Sequence, residues 1–282
     1  MWKQKSIMVF IIGLSIGMIL WIQMGLYLAN VLFNLQVSAN IFHFCLSLFK
    51  KTSFLYSLLI GAVNLFIAYH FIIILIKIGK QMFLSKQLIR KILTNKNHNM
   101  TVEVNERFHR HKSDIVVIHS RNPIAFTFGF RRSIIVLSTS LIEILDYHEL
   151  KAVISHETSH QKSYDAFKIF ILQIISKVIW YIPITKWSYQ NYKIMCELKA
   201  DEYAIRKMGS EMSLSNALLK LIKTHMKEDS APVLIGFTDG SINYRLQQLI
   251  NPQATIPVRL QMKSIITSAY VFIVLMALMV MN

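Results

Sequence analysis

The chain has 282 residues, of which 54% are hydrophobic and only 16% are charged. Soluble globular proteins average about 45–50% apolar and about 25% charged residues, so this composition argues against a water-soluble single domain. It also excludes an intrinsically disordered regulator, which needs low hydrophobicity. Lys and Arg number 31 against 15 Asp and Glu, a net charge of +16 that is typical either of nucleic-acid binding or of the cytoplasmic flanks of membrane helices.

Three uncharged stretches predict transmembrane helices. The first runs from about residue 7 to 28, the second from about 54 to 76 and the third from 264 to 282. At 1.5 Å per residue the first two are long enough to cross a hydrocarbon core of about 30 Å. We therefore predict at least three spans, with the N-terminal pair in a segment of residues 1–79.

The positions of the basic residues predict the orientation of these spans. Basic side chains precede the first span, follow the second and precede the third: Lys3, Lys5, Lys77, Lys80, Lys86, Arg90, Lys91, Arg259 and Lys263. By the positive-inside rule the N-terminus and residues 80–260 are cytoplasmic, and Asn282 lies outside the cell. Because the charges lie where a membrane protein places them, we expect a lipid bilayer as partner and no direct nucleic-acid binding.

Two apolar features leave alternatives open. Gly13 and Gly17 form a G-x-x-x-G pattern, which allows a close helix–helix contact and leaves a homodimer open, although glycine is common in spans. Residues 167–184 are apolar but contain Lys168 and Lys177. We predict one helix there that lies against the membrane or the protein core, with a full span as the alternative.

The cytoplasmic segment has the pattern of an α+β domain with a small sheet, within a mainly α membrane protein. Strands are predicted at 114–119, 125–130 and 133–137, with Gly129 in the turn before the last one. Ser140 to Glu143 and Asp146 to Glu149 both match the capping box, and the second match begins a predicted helix at 147–163. Further helices are predicted at 189–208, 214–227 and 242–250.

The most informative motif is His156-Glu157-Thr158-Ser159-His160 on the predicted helix 147–163. Residues i and i+4 share one helix face, so both imidazoles can reach one metal ion. Glu157 can then take the proton of a water molecule at an open coordination position, as in the H-E-x-x-H metalloproteases. The alternative is a surface helix with two solvated histidines.

A catalytic zinc site needs a third protein ligand. Glu197, on a separate predicted helix, completes a His-His-Glu set, and Asp201 lies one turn further along. Asp201 is predicted to accept a hydrogen bond from a ligand histidine and so to orient its ring. The alternative is a pair of exposed helix acids. We predict one zinc ion per chain, held by His156, His160 and Glu197.

These motifs resemble those of the membrane zinc peptidases that act as β-lactam sensor-transducers, the BlaR/MecR type. The resemblance covers residues 110–250 and rests on the following segments: Phe128–Leu137, His156–His160 with Asp165, Trp180–Pro183, Glu197–Asp201 and Arg245. It implies a gluzincin-like peptidase domain with Glu157 as general base, and a cytoplasmic activity that cleaves a transcriptional repressor. The chain ends at Asn282 without the extracellular penicillin-binding domain of the family's receptors, so we do not expect it to sense β-lactams through its own domain.

Two further roles are assigned more loosely. A tetrahedral intermediate needs a hydrogen-bond donor for its oxyanion, and we favour Tyr244 and Arg245 over His225 for this role. The strand at 125–130 is either an ordinary core strand or an edge to which an extended substrate adds.

The sequence therefore predicts a membrane-anchored zinc endopeptidase that acts on a cytoplasmic or membrane-associated protein, such as a DNA-binding repressor. One alternative is a membrane protease for quality control or processing, because the heat-shock and prenyl-processing membrane peptidases share H-E-x-x-H and a later E-x-x-x-D. Another is a non-catalytic signalling scaffold. The intact Glu157 argues against the scaffold, because a structural zinc site needs no general base.

Overall fold

A computed structural model describes residues 1–33, 40, 42, 46, 53–110, 113–227, 241–250 and 266–270. The helices are α1 (Trp2–Phe33), α2 (Phe54–Thr94), α3 (His98–Arg107), α4 (Thr139–Ile144), α5 (Tyr147–Ser163), α6 (Asp165–Val178), α7 (Pro183–Met208), α8 (Met212–Lys227) and α9 (Ser241–Ile250). Residues 266–270 are also helical. The strands are β1 (Ile115–Ile118), β2 (Ala125–Phe128) and β3 (Ile134–Ser138). A mainly helical chain with a small sheet is therefore confirmed.

The described residues form two compact units. The sheet unit contains described residues of 1–8, 84–170 and 191–250, and the helical unit contains those of 9–83, 171–190 and 266–270. The predicted borders at 79/80 and 260/264 stay predictions. The predicted third span lies outside the described residues except for 266–270.

The sheet unit is built on three strands in the order β1-β3-β2. Strand β3 pairs in parallel with β1 and antiparallel with β2, so β2 is an edge strand of this sheet. Gly129 makes the turn after β2 at a φ of 109°, and a Cβ there would lie 2.8 Å from the carbonyl oxygen of Arg132. Only glycine fits this turn without strain.

Helix α5 packs on β2, β3 and α8. Its N-terminus has the predicted capping box, since the Asp146 side chain accepts from the Glu149 N–H and the Glu149 side chain accepts from the Asp146 N–H. Apolar residues of the sheet and of α3, α4, α5 and α8 form one core: Val104, Ile115, Val117, Ile135, Leu137, Leu141, Leu145, Leu150, Val153, Ile154, Ala217 and Leu221. This core fixes α5 against the edge strand.

Three local predictions need correction. The capping box at Ser140 is wrong, because Ser138 is still extended and its hydroxyl accepts from the Leu141 N–H, which makes Ser138 the N-cap of α4. The single helix at 167–184 is wrong, because α6 ends at Val178 and α7 begins at Pro183. The helix predicted at 189–208 begins six residues earlier, since proline is well tolerated in the first turn.

Helices α1 and α2, most of whose residues belong to the helical unit, are long and apolar enough to cross a membrane, which confirms two of the predicted spans as candidates. Large apolar side chains such as Leu65, Phe71 and Leu75 remain exposed on α2. Exposed apolar surfaces of this kind are unfavourable in water and become favourable when lipid covers them. Helix α6 has 14 residues, about 21 Å at 1.5 Å per residue, and is too short to span.

The two glycines of the G-x-x-x-G pattern contact another helix of the same chain. A Cβ at Gly13 would lie 2.7 Å from Cδ2 of Leu172, and one at Gly17 would lie 3.0 Å from Cδ1 of Ile175. This close approach uses the same helix face that the G-x-x-x-G pattern offers to a homodimer. The pattern therefore serves packing within the chain.

Gly13→Leu is expected to destabilise the helical unit, because the new side chain has no room beside Leu172 and Ser188. Overpacking of this kind costs about 1–3 kcal/mol. Gly25→Leu on the same helix is the control, since none of the described residues lies within 4 Å of a Cβ at Gly25. Thermal unfolding in detergent should show a lower melting temperature for Gly13→Leu only; equal melting temperatures would contradict this packing.

Candidate metal centre

The two histidines of the H-E-x-x-H motif direct their Nε2 atoms towards a common point. His156 and His160 lie one turn apart on α5, and their Nε2 atoms are 3.1 Å from each other. Both side chains are largely buried. The alternative of two solvated histidines on a surface helix is therefore wrong.

Helix α7 supplies the third group. Oε2 of Glu197 lies 3.4 Å from Nε2 of His156, and Oε1 lies 3.6 Å from Nε2 of His160. A tetrahedral zinc site with bonds of about 2.0–2.2 Å keeps its ligand atoms about 3.3–3.6 Å apart. The three distances match that spacing to within a few tenths of an ångström, so the residues fit a zinc ion.

Each histidine has a carboxylate on its other side. Nδ1 of His160 lies 3.0 Å from Oδ2 of Asp165, and Nδ1 of His156 lies 2.8 Å from Oδ1 of Asp201. The second contact has an ion-pair distance but not the angle of a hydrogen bond. A carboxylate only accepts, so a neutral His160 ring that donates to Asp165 from Nδ1 keeps its Nε2 lone pair for a metal. The nearby Asp201 carboxylate favours the same tautomer in a neutral His156 ring.

The charges of the site favour a bound cation. Burial raises the pKa of the Glu197 carboxyl, but His160, His156 and Arg245 outweigh it and hold that pKa well below its usual range. Burial and Arg245 lower the pKa of His156, but contacts with Asp201 and Glu197 raise it to about 9. The ionised carboxylates therefore give the centre a negative charge that attracts a proton or a metal ion.

Arg245 on α9 binds the carboxylates of the site. Its Nε and Nη2 donate to Oδ2 and Oδ1 of Asp201, each at 2.8 Å, and its Nη1 lies 3.4 Å from Oε2 of Glu197. Arg245 is buried, and Asp201 is fully buried. This two-pronged pair is the strong form of a charge-assisted hydrogen bond, and it orients Asp201 towards His156.

The predicted oxyanion donors differ in their surroundings. The Arg245 guanidinium is engaged by Asp201 and Glu197, which fits a structural role behind the ligands. Tyr244 is half-buried beside it on α9, and none of the described contacts joins it to the site residues. The side chain of His225 lies outside the described residues. A role in binding an oxyanion stays a prediction for Tyr244 and Arg245.

Asp165 is the centre of a second buried network. Its Oδ1 accepts from the Tyr192 hydroxyl at 2.8 Å, and Lys199 Nζ lies 2.8 and 2.9 Å from its two oxygens. His160, Asp165 and Cys196 also lie close enough together to suggest a metal group. It is a poor one, because Asp165 already has three partners and burial raises the pKa of the Cys196 thiol.

Glu157, the predicted general base, faces the edge strand. The Thr127 hydroxyl lies 2.8 Å from Oε2 of Glu157 and 2.9 Å from its carbonyl oxygen. Sequence reasoning missed Thr127, Tyr192 and Lys199, and it included Asp165 only through the family resemblance. The one local signal for a histidine partner is that Asp165 begins α6, only five residues after His160.

Comparison with known proteins places these residues within a matched region. The family model described as BlaR1 peptidase M56 matches residues 47–249. Regulatory protein BlaR1 of Bacillus licheniformis is 27% identical over 193 residues, 64% of this chain and 30% of that protein. The methicillin resistance mecR1 protein of Staphylococcus aureus is 26% identical over 136 residues, 46% of this chain and 23% of the relative.

A third relative comes from another group of proteases. A protease HtpX homolog of Helicobacter pylori is 30% identical over 145 residues, 48% of this chain and 47% of the relative. The aligned part of this chain thus spans about a third or less of the BlaR1 and mecR1 relatives and about half of the HtpX homolog.

Proposed function

Because this chain belongs to the BlaR1 peptidase M56 family, we propose that it is a membrane-anchored, zinc-dependent endopeptidase. The observation that carries the proposal is the convergence of two imidazole nitrogens and one carboxylate within 3.1–3.6 Å of one another. The buried acids Asp165 and Asp201 behind the two histidines support it, since catalytic zinc sites hold their ligands in this way.

His156, His160 and Glu197 would hold the zinc ion and leave a fourth position open. Bound zinc supplies Lewis acidity and lowers the pKa of a water molecule that it holds from 15.7 to about 7. The three ligands come from two helices, α5 and α7. A second apolar cluster joins these helices, since Ala152 of α5 and Ala204 of α7 are both buried in it. Rigid helices keep the ligand atoms at their spacing without help from the metal.

Glu157 would act as general base. It is adjacent to His156 but is not one of the three converging groups, so its carboxylate is available for proton transfer. It accepts a proton from the attacking water and then delivers it to the nitrogen of the leaving amine. Strand β2 lies at the sheet edge on the Glu157 side, where an extended peptide would add as a further strand.

The proposed substrate is a cytoplasmic or membrane-associated regulator, such as a DNA-binding repressor. Two of the relatives are named as a regulatory protein and a resistance protein, which supports this class. A quality-control protease is the second candidate, supported by the similarity to the HtpX homolog. The two differ in how many proteins they cleave.

Comparing new protein N-termini in cells that carry the wild type or Glu157→Gln would test the proposal. The expected result is one or a few cleavage sites, in a DNA-binding regulator, that occur only with the wild type. Cleavage of many unrelated membrane proteins would favour quality control. Identical N-termini in both strains, under conditions where the protein is present, would contradict the endopeptidase.

We also propose that the N-terminus and the metal centre are cytoplasmic. Lys77, Lys80 and Lys86 follow the apolar part of α2, and the positive-inside rule places that end in the cytoplasm. A protease added outside intact cells should remove an epitope tag after Asn282 and spare one before Met1. The reverse pattern would contradict this orientation.

A further inference from the structure

Strand β2 brings one hydroxyl to the carboxylate of the general base. Thr127 is the third residue of this strand and pairs with Ile135 of β3. Its Oγ1 lies 2.8 Å from Oε2 of Glu157, 30 positions along the chain. The contact joins the edge of the sheet to the middle of α5.

The single hydroxyl hydrogen of Thr127 has two acceptors within reach. The carbonyl oxygen of Glu157, at 2.9 Å, lies inside helix α5, where carbonyls accept from the N–H four residues later. The carboxylate has no such helical partner, and hydrogen bonds to a charged acceptor are about twice as strong as neutral ones. The carboxylate is therefore the preferred acceptor.

Glu157 needs such a partner because it is only 7% exposed. A glutamate side chain has three rotatable bonds, and fixing them costs free energy that a hydrogen bond can repay. Thr127 binds Oε2, and none of the described hydrogen bonds engages Oε1. The contact thus holds the side chain in one orientation and leaves one oxygen for proton transfer.

We propose that Thr127 is a positioning residue that orients the Glu157 carboxylate for its role as general base. This inference rests on the proposed endopeptidase function. Valine has the same shape as threonine and the same preference for a strand, so the hydroxyl is what distinguishes Thr127 chemically. Thr127 lies on β2, the strand to which an extended substrate would add. Its hydroxyl would therefore hold the Glu157 carboxylate beside the peptide bond to be cut.

Two variants separate the hydroxyl from the shape of the side chain. With fluorescein-labelled casein as substrate and the full chain in detergent, Thr127→Val should lower kcat about 10- to 100-fold, the range expected for a hydrogen bond to a charged group. KM should change less than about twofold, and zinc per chain should not change, because the ligands are untouched. Thr127→Ser keeps the hydroxyl and should restore kcat to within about threefold of the wild type.

A stability cycle tests the contact without using activity. Thermal unfolding is measured for the wild type, Thr127→Val, Glu157→Ala and the double variant. If the hydroxyl binds the carboxylate, Thr127→Val lowers the melting temperature in the wild type and has much less effect in Glu157→Ala. An equal loss of melting temperature in both backgrounds would show that the Thr127 hydroxyl donates to the backbone carbonyl of Glu157, and it would overturn the proposal.

The outcomes distinguish this inference from the proposed function. An unchanged kcat in Thr127→Val, with an active wild type, would overturn the positioning role alone. A zinc-loaded wild type that cleaves neither casein nor any cellular protein would overturn the endopeptidase and with it the catalytic role of Thr127. In that case the cycle would still decide whether Thr127 contacts the Glu157 carboxylate.

Discussion

Glu157→Gln is expected to abolish peptide hydrolysis while the protein stays folded and keeps its zinc. Glutamine has the same size as glutamate, and its amide oxygen can still accept from Thr127, but it does not take a proton from water. General-base catalysis contributes about 10²–10⁴-fold to a rate, so cleavage should fall by at least that range. The measurement is casein cleavage together with zinc content of the purified full chain.

Glu143→Gln is the matched control, because it makes the same chemical change at an exposed position on α4. It should leave both cleavage and zinc content at the wild-type level. Undiminished cleavage by Glu157→Gln would remove Glu157 from its role. Loss of zinc from that variant would show that Glu157 is a ligand, contrary to the geometry of the three converging groups.

Asp201→Asn is expected to have the largest effect on stability. Asp201 is fully buried and lies between the Arg245 guanidinium and the His156 ring, with three contacts of 2.8 Å. Removing one partner of a buried ion pair costs about 3–5 kcal/mol, because the other charge is left without compensation. Loss of the carboxylate that orients a ligand histidine should also weaken zinc binding about 10- to 100-fold.

Glu202→Gln controls for this change one residue further along α7. Glu202 is more exposed and pairs with the N-terminal amine at 3.2 Å, and such surface pairs contribute about 0–1 kcal/mol. Thermal unfolding and zinc titration of both variants should show a large effect for Asp201→Asn only. Wild-type stability and zinc affinity in Asp201→Asn would contradict the structural role of this pair.

Local signals in the sequence predict α5 and the strands well. The ends of α5 agree with the prediction because a capping box begins it, and Leu150, Val153 and Ile154 bury one face of it in the core. The strands shifted by one or two residues, since the ends of a short strand depend on its pairing. Ser140 shows the limit of motif matching, because Ser138, Thr139 and Ser140 follow one another at the start of α4 and only the backbone conformation selects Ser138 as N-cap.

The ligand set could be predicted because its signals lie in two short segments. His156 and His160 share a helix face by spacing alone, and Glu197 and Asp201 are one turn apart on another helix. Other contacts of the site join positions distant in sequence, so local patterns do not predict them. Thr127 lies in a strand, Arg245 in a late helix, and Lys199 is a buried cation that no local pattern distinguishes from a surface lysine.

Zinc content of the full chain, purified in detergent and measured by mass spectrometry in the wild type and Glu197→Ala, tests the central claim most directly. We expect about one zinc ion per wild-type chain, because three protein ligands and one open position make a catalytic zinc site. Glu197→Ala should lose that zinc, while Glu202→Ala, prepared in parallel, should keep it. Equal zinc in Glu197→Ala and the wild type, or a wild type that binds none when zinc is supplied, would contradict the account.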